Sequence, residues 1–387
     1  MNPTNYTKLT EYLKEIPDPR SSRGQSHVWI YVLTIVCLGL LSGETSIRGI
    51  VQWAYNNREE LLAELKPKRM RVPSASTLYR AVRNISLEKL EEQVARYTQS
   101  LDENDKSVGK IETLSGKEIR GQSVDGKTVR GASKRGNPCH LVSVVRHDYG
   151  TVLSQEKVDV KTNEITVVPQ VLSEVSLEGT VTTMDALLTQ RKIAQQIVDA
   201  GGDYLMVVKM NQPTLYESIK MVFDSPPIPV DPDEFLSFTY SEKGHGRIET
   251  RTLESTIALT SYLDWPGNAQ VMRRTRRAID TTTGEVSNEV HYGITRVDRT
   301  HAFPKQLEQL WRAHWTIENR VHYVRDVSMG EDSSSLRSDN APQAMAAFRN
   351  AILSLLRFEG WNIIPDAFRF FSANLPKSVQ IIGALET

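Results

Sequence analysis

Apolar residues in the first 105 positions recur at intervals of three and four, the spacing that puts them on one face of a helix. This pattern predicts helices over residues 6–16, from residue 28 onward, and over 46–56, 59–65, 76–84 and 87–101. Ser74 or Ser76 is suited to cap the fifth helix, because a serine hydroxyl accepts a hydrogen bond from a backbone N–H at a helix start. The apolar run 28–41 is shorter than the roughly 20 residues of a membrane span, so we expect a buried helix and no membrane role.

The hydrophobic period changes to two after residue 117, and the D-E-N-D-K sequence before that point is typical of a linker. Alternation of apolar and polar residues predicts three strands, followed by helices and strands in turn. The predicted elements are strands 119–124, 141–146 and 152–158, helix 165–173, strand 181–184, helix 190–200, strand 204–208 and helix 214–223, with turns at 131–137 and 148–150. This order of elements is that of an α/β fold of the ribonuclease-H-like type.

Strand-like alternation returns after the proline-containing segment 226–232. Strands predicted at 235–241, 248–256, 270–279 and 286–295 form a β-rich insertion before two last helices, 305–325 and 342–358. The chain is therefore predicted to have five parts. They are a helical N-terminal domain (1–105), a linker (106–116), the first part of the ribonuclease-H-like core (117–225), the β-rich insertion (226–300) and C-terminal helices that complete the core (301–387).

The charge of the chain is balanced overall but clustered. Its 387 residues include 47 basic and 47 acidic side chains and thus carry no net charge, whereas many nucleic-acid-binding domains are strongly basic. Basic runs nevertheless occur at 66–71 (K-P-K-R-M-R) and 273–277 (R-R-T-R-R). Such a run is usually a solvated face, and contact with DNA is the alternative. The helix 76–84 after the first run is either an ordinary capped helix or a short recognition helix.

Two aspartates stand directly after predicted strands. Asp125 follows the strand that ends at Val124, and Asp185 follows the strand that ends in V-T-T-M. Side chains at the carboxyl ends of strands collect at one edge of an open α/β sheet, so these two should meet if their strands are neighbours. Two carboxylates held together repel each other, and a divalent cation between them removes that repulsion. Oxygen ligands favour Mg²⁺, with Mn²⁺ as a substitute, and the lack of a Cys/His cluster argues against zinc.

The predicted helix 305–325 has a face of mixed chemistry. Trp311, His314, Glu318, His322 and Arg325 recur at spacings of three and four, which places them on one side of an α-helix. An aromatic ring, two imidazoles, a carboxylate and a guanidinium do not make a core stripe. A functional face is therefore indicated, and a salt-bridged surface helix is the alternative.

The β-rich insertion contains the sequence G-H-G-R-I-E-T-R, residues 244–251. His245 and Arg247 are candidates for contact with phosphate. A structural role is the more common one for a single histidine, and it remains the alternative for His245.

Six sequence motifs occur in order along the chain. They are V-D-G-K-T-V-R-G from Val124, K-T-N-E-I from Lys161, T-M-D-A-L-L-T-Q from Thr183, G-G-D-Y-L-M-V-V-K-M-N-Q from Gly201, G-H-G-R-I-E-T-R from Gly244 and H-W-T-I-E-N-R-V-H-Y-V-R-D-V-S-M-G-E-D from His314. Together they resemble the bacterial insertion-sequence DDE transposases that include the H-repeat-associated proteins. The likeness runs from about residue 117 to 358, and the helical N-terminus resembles the domain associated with that family.

The resemblance implies a ribonuclease-H-like core in which Asp125, Asp185 and Glu318 bind the catalytic metal, with an insertion between the second and third of them. Related transposases carry a tyrosine, arginine, glutamate and lysine signature on the last catalytic helix. The same spacing here gives Trp311, His314, Glu318 and Arg325. His314 stands where the family has an arginine, so this position departs from the signature.

The resemblance also implies an activity and partners. The expected activity is metal-dependent DNA cleavage and strand transfer at terminal inverted repeats, and the expected partners are double-stranded end and target DNA and a homodimer or higher assembly on DNA. The candidate DNA contacts are Trp311, His314, His322, Arg325, His245, Arg247, Lys127, Lys68, Arg69 and Arg71. A nuclease that cuts without joining and a domesticated DNA-binding protein are the alternatives.

The sequence also indicates where the protein acts. Two cysteines are too few for a disulfide framework or a four-cysteine zinc site, and nothing at the N-terminus resembles a signal peptide. We therefore expect a cytoplasmic bacterial protein that associates with the nucleoid when it is bound to DNA.

Overall fold

The first hundred residues of the protein are helical, as predicted. The structure, a computed structural model, describes residues 8–22, 25–104, 110–112, 116, 118–133, 139–159, 162–226 and 233–384. The first helices are α1 (Leu9–Lys14), α2 (Trp29–Leu41), α3 (Ile47–Asn56), α4 (Arg58–Leu65), α5 (Ala75–Asn84) and α6 (Leu87–Asn104). Serine hydroxyls cap two of them: Ser46 accepts the N–H of Gly49 in α3, and Ser74 accepts the N–H of Thr77 in α5. Ser74, rather than Ser76, is therefore the cap of the fifth helix.

Helix α2 is buried on nearly all sides. Twelve of its 13 residues are shielded from solvent, which explains why its sequence is apolar throughout and not only at every third or fourth position. Among the described residues, no helix is both long enough and apolar enough to cross a bilayer.

The rest of the chain combines strands and helices. The strands are β1 (Lys110–Glu112), β2 (Glu118–Val129), β3 (Cys139–Arg146), β4 (Val152–Val158), β5 (Thr180–Met184), β6 (Asp203–Val208), β7 (Phe235–Gly244), β8 (Arg247–Thr256), β9 (Gln270–Asp280) and β10 (Val286–Thr295). The α-helices are α7 (Arg130–Ser133), α8 (Glu164–Ser173), α9 (Arg191–Asp199), α10 (Pro213–Asp224), α11 (Pro304–Ala313), α12 (Ala341–Phe358), α13 (Ile364–Ser372) and α14 (Leu375–Ile382). Two π-helical segments, π1 (Ile317–His322) and π2 (Val324–Ser328), lie between α11 and α12.

All the strands predicted from the sequence are present, and four further elements are not predicted. Strand β1 lies inside the predicted linker 106–116, of which the structure describes only residues 110–112 and 116. The predicted turn 131–137 begins with the short helix α7, and residues 134–138 lie outside the described residues. Helices α13 and α14 follow the last predicted helix, and each has a proline in its first turn, where the absent N–H costs nothing.

Backbone contacts divide the chain into two compact units, each built from segments that are separated in sequence. The first unit comprises Met1–Val108, Gly126–Asn163 and Thr316–Thr387, and the second comprises Gly109–Asp125 and Glu164–Trp315. The chain thus passes between the units within β2 and again after Trp315.

The first unit is built around α12. Seventeen of the 18 residues of this helix are buried, and they pack against α6, α5, α2 and the hairpin of β3 and β4. Apolar side chains of the N-terminal helices and of the C-terminal helices belong to one hydrophobic core. The N-terminal helices therefore do not fold around a core of their own.

The second unit is built on a sheet. Strands β2, β5 and β6 are parallel neighbours, and β1 pairs with β2 in the antiparallel sense. Strand β10 pairs antiparallel with β6, and β9, β8 and β7 follow it in order. The β-rich insertion is therefore an extension of the central sheet and not a separate β-domain.

Candidate active site

Asp125 and Asp185 follow partner residues on neighbouring parallel strands. Val124 of β2 is the register partner of Met184 of β5, so the aspartate after each stands at the same level of the sheet. The predicted adjacency of these strands is thus confirmed. The sequence predicted that this strand ends at Val124, which is wrong. Strand β2 continues to Val129, and only its pairing with β5 ends at Val124.

The end of β5 orients Asp185. Its Oδ1 accepts the N–H of Leu188 at 3.1 Å, and its backbone carbonyl accepts the hydroxyl of Thr189 at 2.9 Å. These bonds close a turn directly after the strand, so the direction of the carboxylate is fixed by the fold. Asp125 and Asp185 are both half-buried, so water and a substrate can reach them.

His314 touches both of these strands. Its Nδ1 lies 2.9 Å from the hydroxyl of Thr183 in β5, and its backbone carbonyl accepts the hydroxyl of Ser123 in β2 at 3.1 Å. Ser123 and Thr183 are each two residues before one of the aspartates. The sequence pointed to His314 as a contact to DNA, but it did not reveal the two hydroxyls that bind it.

Glu318 and His322 are a second pair of groups with metal-binding chemistry. The carboxylate of Glu318 is half-exposed and lies 3.6 Å from Nδ1 of the buried His322, both within π1. Burial lowers the pKa of His322, and the opposing effect of Glu318 does not restore it. His322 is therefore neutral at pH 7, the form in which an imidazole binds a metal or accepts a hydrogen bond. Its burial removes it from the candidate DNA contacts.

The helix that carries Glu318 is not the continuous α-helix that we predicted over 305–325. Helix α11 ends at Ala313, and the chain continues through the wide turns of π1 and π2. Spacings of three and four define one face only in an α-helix, because a π-helix has more residues per turn. The prediction of a single face for the five residues is therefore wrong.

Arg325 is a structural residue and not a DNA contact. It is fully buried, and its Nε and Nη2 donate to both oxygens of the buried Glu331 at 2.8 to 3.2 Å. Its Nη1 donates to side-chain oxygens of Gln155 and Asn350, each at 3.1 Å. All its nitrogens are thus engaged inside the first unit. Glu331, in the M-G-E-D sequence, is the partner that sequence reasoning missed.

Lys127 is likewise held inside the protein. Its side chain is only 6% exposed and is ion-paired with Asp326, and its Nζ lies 3.9 Å from Glu331. Because Asp326 belongs to π2, this contact ties the end of β2 to the segment that follows Glu318. Contact of Lys127 with DNA, as we predicted it, is therefore not supported.

Trp311 is also a core residue. Only 6% of it is exposed, and it packs with Leu205 and Met272 in the hydrophobic core of the second unit. Its ring lies so close to Gly293 that a Cβ there would be 2.6 Å from the indole. The guanidinium of Arg274 lies 5.8 Å from the centre of the ring. Trp311, the aromatic residue of the family signature, therefore anchors α11 in the hydrophobic core of the second unit, and its burial argues against a contact with DNA.

The two basic runs differ in their surroundings. In the run 273–277, Arg273 is paired with Glu254, Arg274 with Glu308, and Arg276 with Glu249 and Glu289. Most of the positive charge of that run is thus neutralised inside the sheet. Lys68, Arg69 and Arg71 are exposed, and no ion pair joins them to any acidic side chain that the structure describes. The first run is therefore the more strongly basic surface.

His245 and Arg247 lie at the tip of the β7–β8 hairpin. Both are exposed, and His245 has a positive φ of 50° at the turn. Arg247 pairs with Glu249, Nε to Oε1, at 2.6 Å. The hairpin thus presents an imidazole to solvent, while part of the charge of Arg247 is already balanced.

Each unit contains side chains that can hold a metal ion: Asp125 in the second unit, and Glu318 and His322 in the first. Asp185 adds a carboxylate whose direction is fixed. Carboxylate oxygens are the hard donors that Mg²⁺ and Mn²⁺ accept, and the two described cysteines are buried, with thiols whose pKa is raised by burial. The available groups therefore fit an oxygen-preferring divalent cation.

Comparison with known proteins identifies the family. Residues 116–355 match the family model described as "Transposase DDE domain", and residues 10–98 match the model described as "DDE_Tnp_1-associated". The chain is 30% identical to "Putative transposase YncI" of Escherichia coli O157:H7, over 90% of its own length and 87% of that protein. It is 28% identical to "H repeat-associated putative transposase YhhI" of Escherichia coli (strain K12), over 90% of both chains.

These matches agree with the fold. A helical N-terminal region precedes a large mixed sheet with flanking helices, and this is the α/β, ribonuclease-H-like architecture with a β-rich insertion that the order of elements predicted. The chain matches the domain model over more than half of its length, so it belongs to the DDE transposase family.

Proposed function

We propose that the protein cuts DNA at the terminal inverted repeats of an insertion sequence and then joins the freed end to target DNA. The observation that carries this proposal is the register of β2 and β5, which brings an aspartate after Val124 to the level of an aspartate after Met184. Membership of the DDE transposase family supports it, since residues 116–355 match the model of a transposase DDE domain.

Asp125, Asp185 and Glu318 are the residues that we propose as metal ligands, with Mg²⁺ as the cation and Mn²⁺ as its substitute. Divalent cations, when bound, supply activation of the attacking oxygen and stabilisation of the leaving oxygen in an in-line displacement. The protein's own contribution would be to supply and orient these carboxylates. The N–H of Leu188 already orients Asp185, and His322 Nδ1 lies 3.6 Å from the carboxylate of Glu318.

Both reaction steps would use the same residues. Water attacks first, and the freed 3′ hydroxyl of the element end attacks second, so no covalent bond between protein and DNA is needed. Such a mechanism requires no nucleophile motif of the protein itself, and the sequence contains no recognisable one.

Recognition of the inverted repeats requires contacts to base edges away from the reacting phosphate. We propose the exposed cations Lys68, Arg69 and Arg71 as contacts to the DNA backbone near these bases. The hydroxyl of Tyr31 donates to the carbonyl of Arg71 at 3.2 Å and holds this loop against α2. His245 and Arg247 at the tip of the β7–β8 hairpin are proposed as a second contact to phosphate.

Two element ends must be cut together for transposition, so we propose that a homodimer or a higher assembly forms on DNA. The mass of the protein complex with end DNA, measured by light scattering, tests this point. A complex with one protein chain and one DNA end under cleavage conditions would contradict it.

The activity is tested by incubating the protein with labelled DNA that contains an element end and its flank, in the presence of Mg²⁺, and separating the products on a denaturing gel. Nicked, hairpin and joined products differ in length. The proposal expects joined products that EDTA abolishes. Nicked DNA without joined products would indicate a cleavage-only nuclease, and bound but uncut DNA would indicate a domesticated DNA-binding protein.

A further inference from the structure

His314 is bonded at two points to the strands of the two proposed metal-binding aspartates, β2, which contains Asp125, and β5, which ends directly before Asp185. Its ring Nδ1 meets the hydroxyl of Thr183 at 2.9 Å, and its backbone carbonyl accepts the hydroxyl of Ser123 at 3.1 Å. We propose that His314 is a positioning residue, which fixes the end of α11 on β2 and β5 and thereby sets the start of the segment that carries Glu318. This inference rests on the proposed function of Asp125, Asp185 and Glu318.

The contacts of His314 lie on the face of the sheet that Asp125 occupies. Side chains alternate between the two faces of a strand, so residues two apart point the same way. Ser123 is two residues before Asp125 within β2, and Thr183 is the register partner of Ser123 on the neighbouring β5. The end of α11 is therefore attached to the face of the sheet at which the proposed chemistry occurs.

The bond from Ser123 also satisfies the end of a helix. Carbonyl groups in the last turn of an α-helix have no partner within the helix, and a polar side chain can supply one. His314 is the first residue after α11, and its carbonyl receives the Ser123 hydroxyl. The point at which the chain leaves α11 is thus fixed by β2, four residues before Glu318.

The Thr183 hydroxyl is at the centre of a small buried network. Its oxygen lies 3.2 Å from the carbonyl of Gln122 and 3.3 Å from the hydroxyl of Ser123, in addition to the imidazole. Thr183 and Ser123 are almost completely buried. Loss of the imidazole Nδ1 would therefore remove one partner from a network that water does not readily replace.

The two nitrogens of His314 allow two roles to be separated. The side-chain amide of asparagine falls near the position of Nδ1, whereas that of glutamine extends toward the position of Nε2. His314→Asn therefore keeps a polar atom for Thr183, and His314→Gln keeps one at the outer edge of the ring. A positioning role needs a polar atom at the place of Nδ1, which contacts Thr183. A direct contact to DNA needs a polar atom at the place of Nε2.

The test compares His314→Asn, His314→Gln and Thr183→Val with the unaltered protein. Cleavage is measured at saturating DNA and Mg²⁺, and affinity for end DNA is measured separately. We expect His314→Gln and Thr183→Val to cleave about 10- to 100-fold more slowly, as for residues that orient metal ligands, with unchanged DNA affinity. His314→Asn should restore most of the rate. Retained cleavage in His314→Gln together with loss in His314→Asn would overturn the inference.

A second measurement does not depend on catalysis. Amide hydrogen exchange of residues 314–322 in the metal-free protein should be faster in His314→Gln and Thr183→Val than in His314→Asn and the unaltered protein. Equal exchange in all four proteins would also overturn the inference. If the unaltered protein cleaves no DNA, the proposed function fails, while the exchange pattern still decides whether His314 fixes this segment.

Discussion

Arg325 and Glu331 form an ion pair in which neither side chain is exposed to solvent. Both nitrogens of one edge of the guanidinium reach the carboxylate, with Nη2 and Oε2 at 2.8 Å. Arg349, also buried, adds a second guanidinium at 3.4 Å. Since Arg325 belongs to π2, this pair anchors the segment that follows Glu318 to the core of the first unit.

Removal of one partner of this pair is expected to be strongly destabilising. Arg325→Gln leaves Glu331 buried with less compensating charge, and we expect a loss of about 3–5 kcal/mol in the free energy of unfolding. Arg369→Gln is the matched control, because the pair of Arg369 with Asp366 is exposed, and its loss should cost no more than about 1 kcal/mol. Denaturant titration measures both values. Similar losses in the two variants would show that the buried pair does not hold the segment.

The same pair predicts how stability depends on pH. Burial raises the pKa of Glu331, but the positive charges of Arg325 and Arg349 outweigh it and hold the pKa below its ordinary value of 4.5. A carboxyl whose pKa is lowered on folding stabilises the protein above its unfolded pKa, and the stabilisation is lost as the pH falls through the folded pKa.

The difference in unfolding free energy between the unaltered protein and Glu331→Gln should therefore be constant near neutral pH. It should shrink only below the ordinary carboxyl pKa. A difference that already shrinks at about pH 6 would contradict the ion pair, since it would mean that the pKa of Glu331 is raised.

The contrast between Arg325 and the strands indicates what the sequence could predict. Strand β4 was predicted at its observed bounds, because it follows the turn signal D-Y-G at 148–150, which is a local property of the sequence. The role of Arg325 was not predictable in this way. Its partners Glu331, Asn350 and Gln155 come from three separate segments, and only the packing of the first unit brings them together.

The helix of Glu318 shows a different limit. Residues spaced by three and four suggested one α-helical face, and the same letters are compatible with the wider turns of π1 and π2. The aspartates were found because each follows an apolar run typical of a strand, which is visible in sequence, although Asp125 lies within β2 and not after it. Ser123 and Thr183 were not, because hydroxyl residues within a strand carry no signal until a partner is placed against them.

Trp311 is predicted to contribute to stability and not to DNA affinity. Trp311→Ala leaves a cavity in the core of the second unit and should cost about 3–5 kcal/mol. Trp315→Ala is the control, since that indole is 60% exposed, and it should cost less than about 1 kcal/mol. Thermal unfolding and a DNA-binding titration decide the matter. Weaker DNA binding by folded Trp311→Phe, at unchanged stability, would restore Trp311 as a contact.

The basic loop of the first unit is predicted to bind the DNA backbone. Changing Lys68, Arg69 and Arg71 to glutamine should reduce the slope of log affinity against log salt by about 2.7, because each phosphate contact contributes about 0.9. The control variant changes the exposed Lys192, Lys305 and Lys377 to glutamine and loses the same charge. Its slope should stay near that of the unaltered protein. Equal changes in both variants would mean that total charge, and not this loop, governs binding.

The central claim is that Asp125, Asp185 and Glu318 act together in metal-dependent DNA cleavage. The most direct measurement compares Asp125→Asn, Asp185→Asn and Glu318→Gln with the unaltered protein and with Asp199→Asn, an exposed aspartate at the end of α9. Each protein is given end DNA and Mg²⁺, and both cleavage and DNA binding are recorded. The three site variants should bind DNA normally and show no cleavage above background, while Asp199→Asn cleaves at the unaltered rate. Undiminished cleavage in any one of the three would remove that residue from the site and contradict the account.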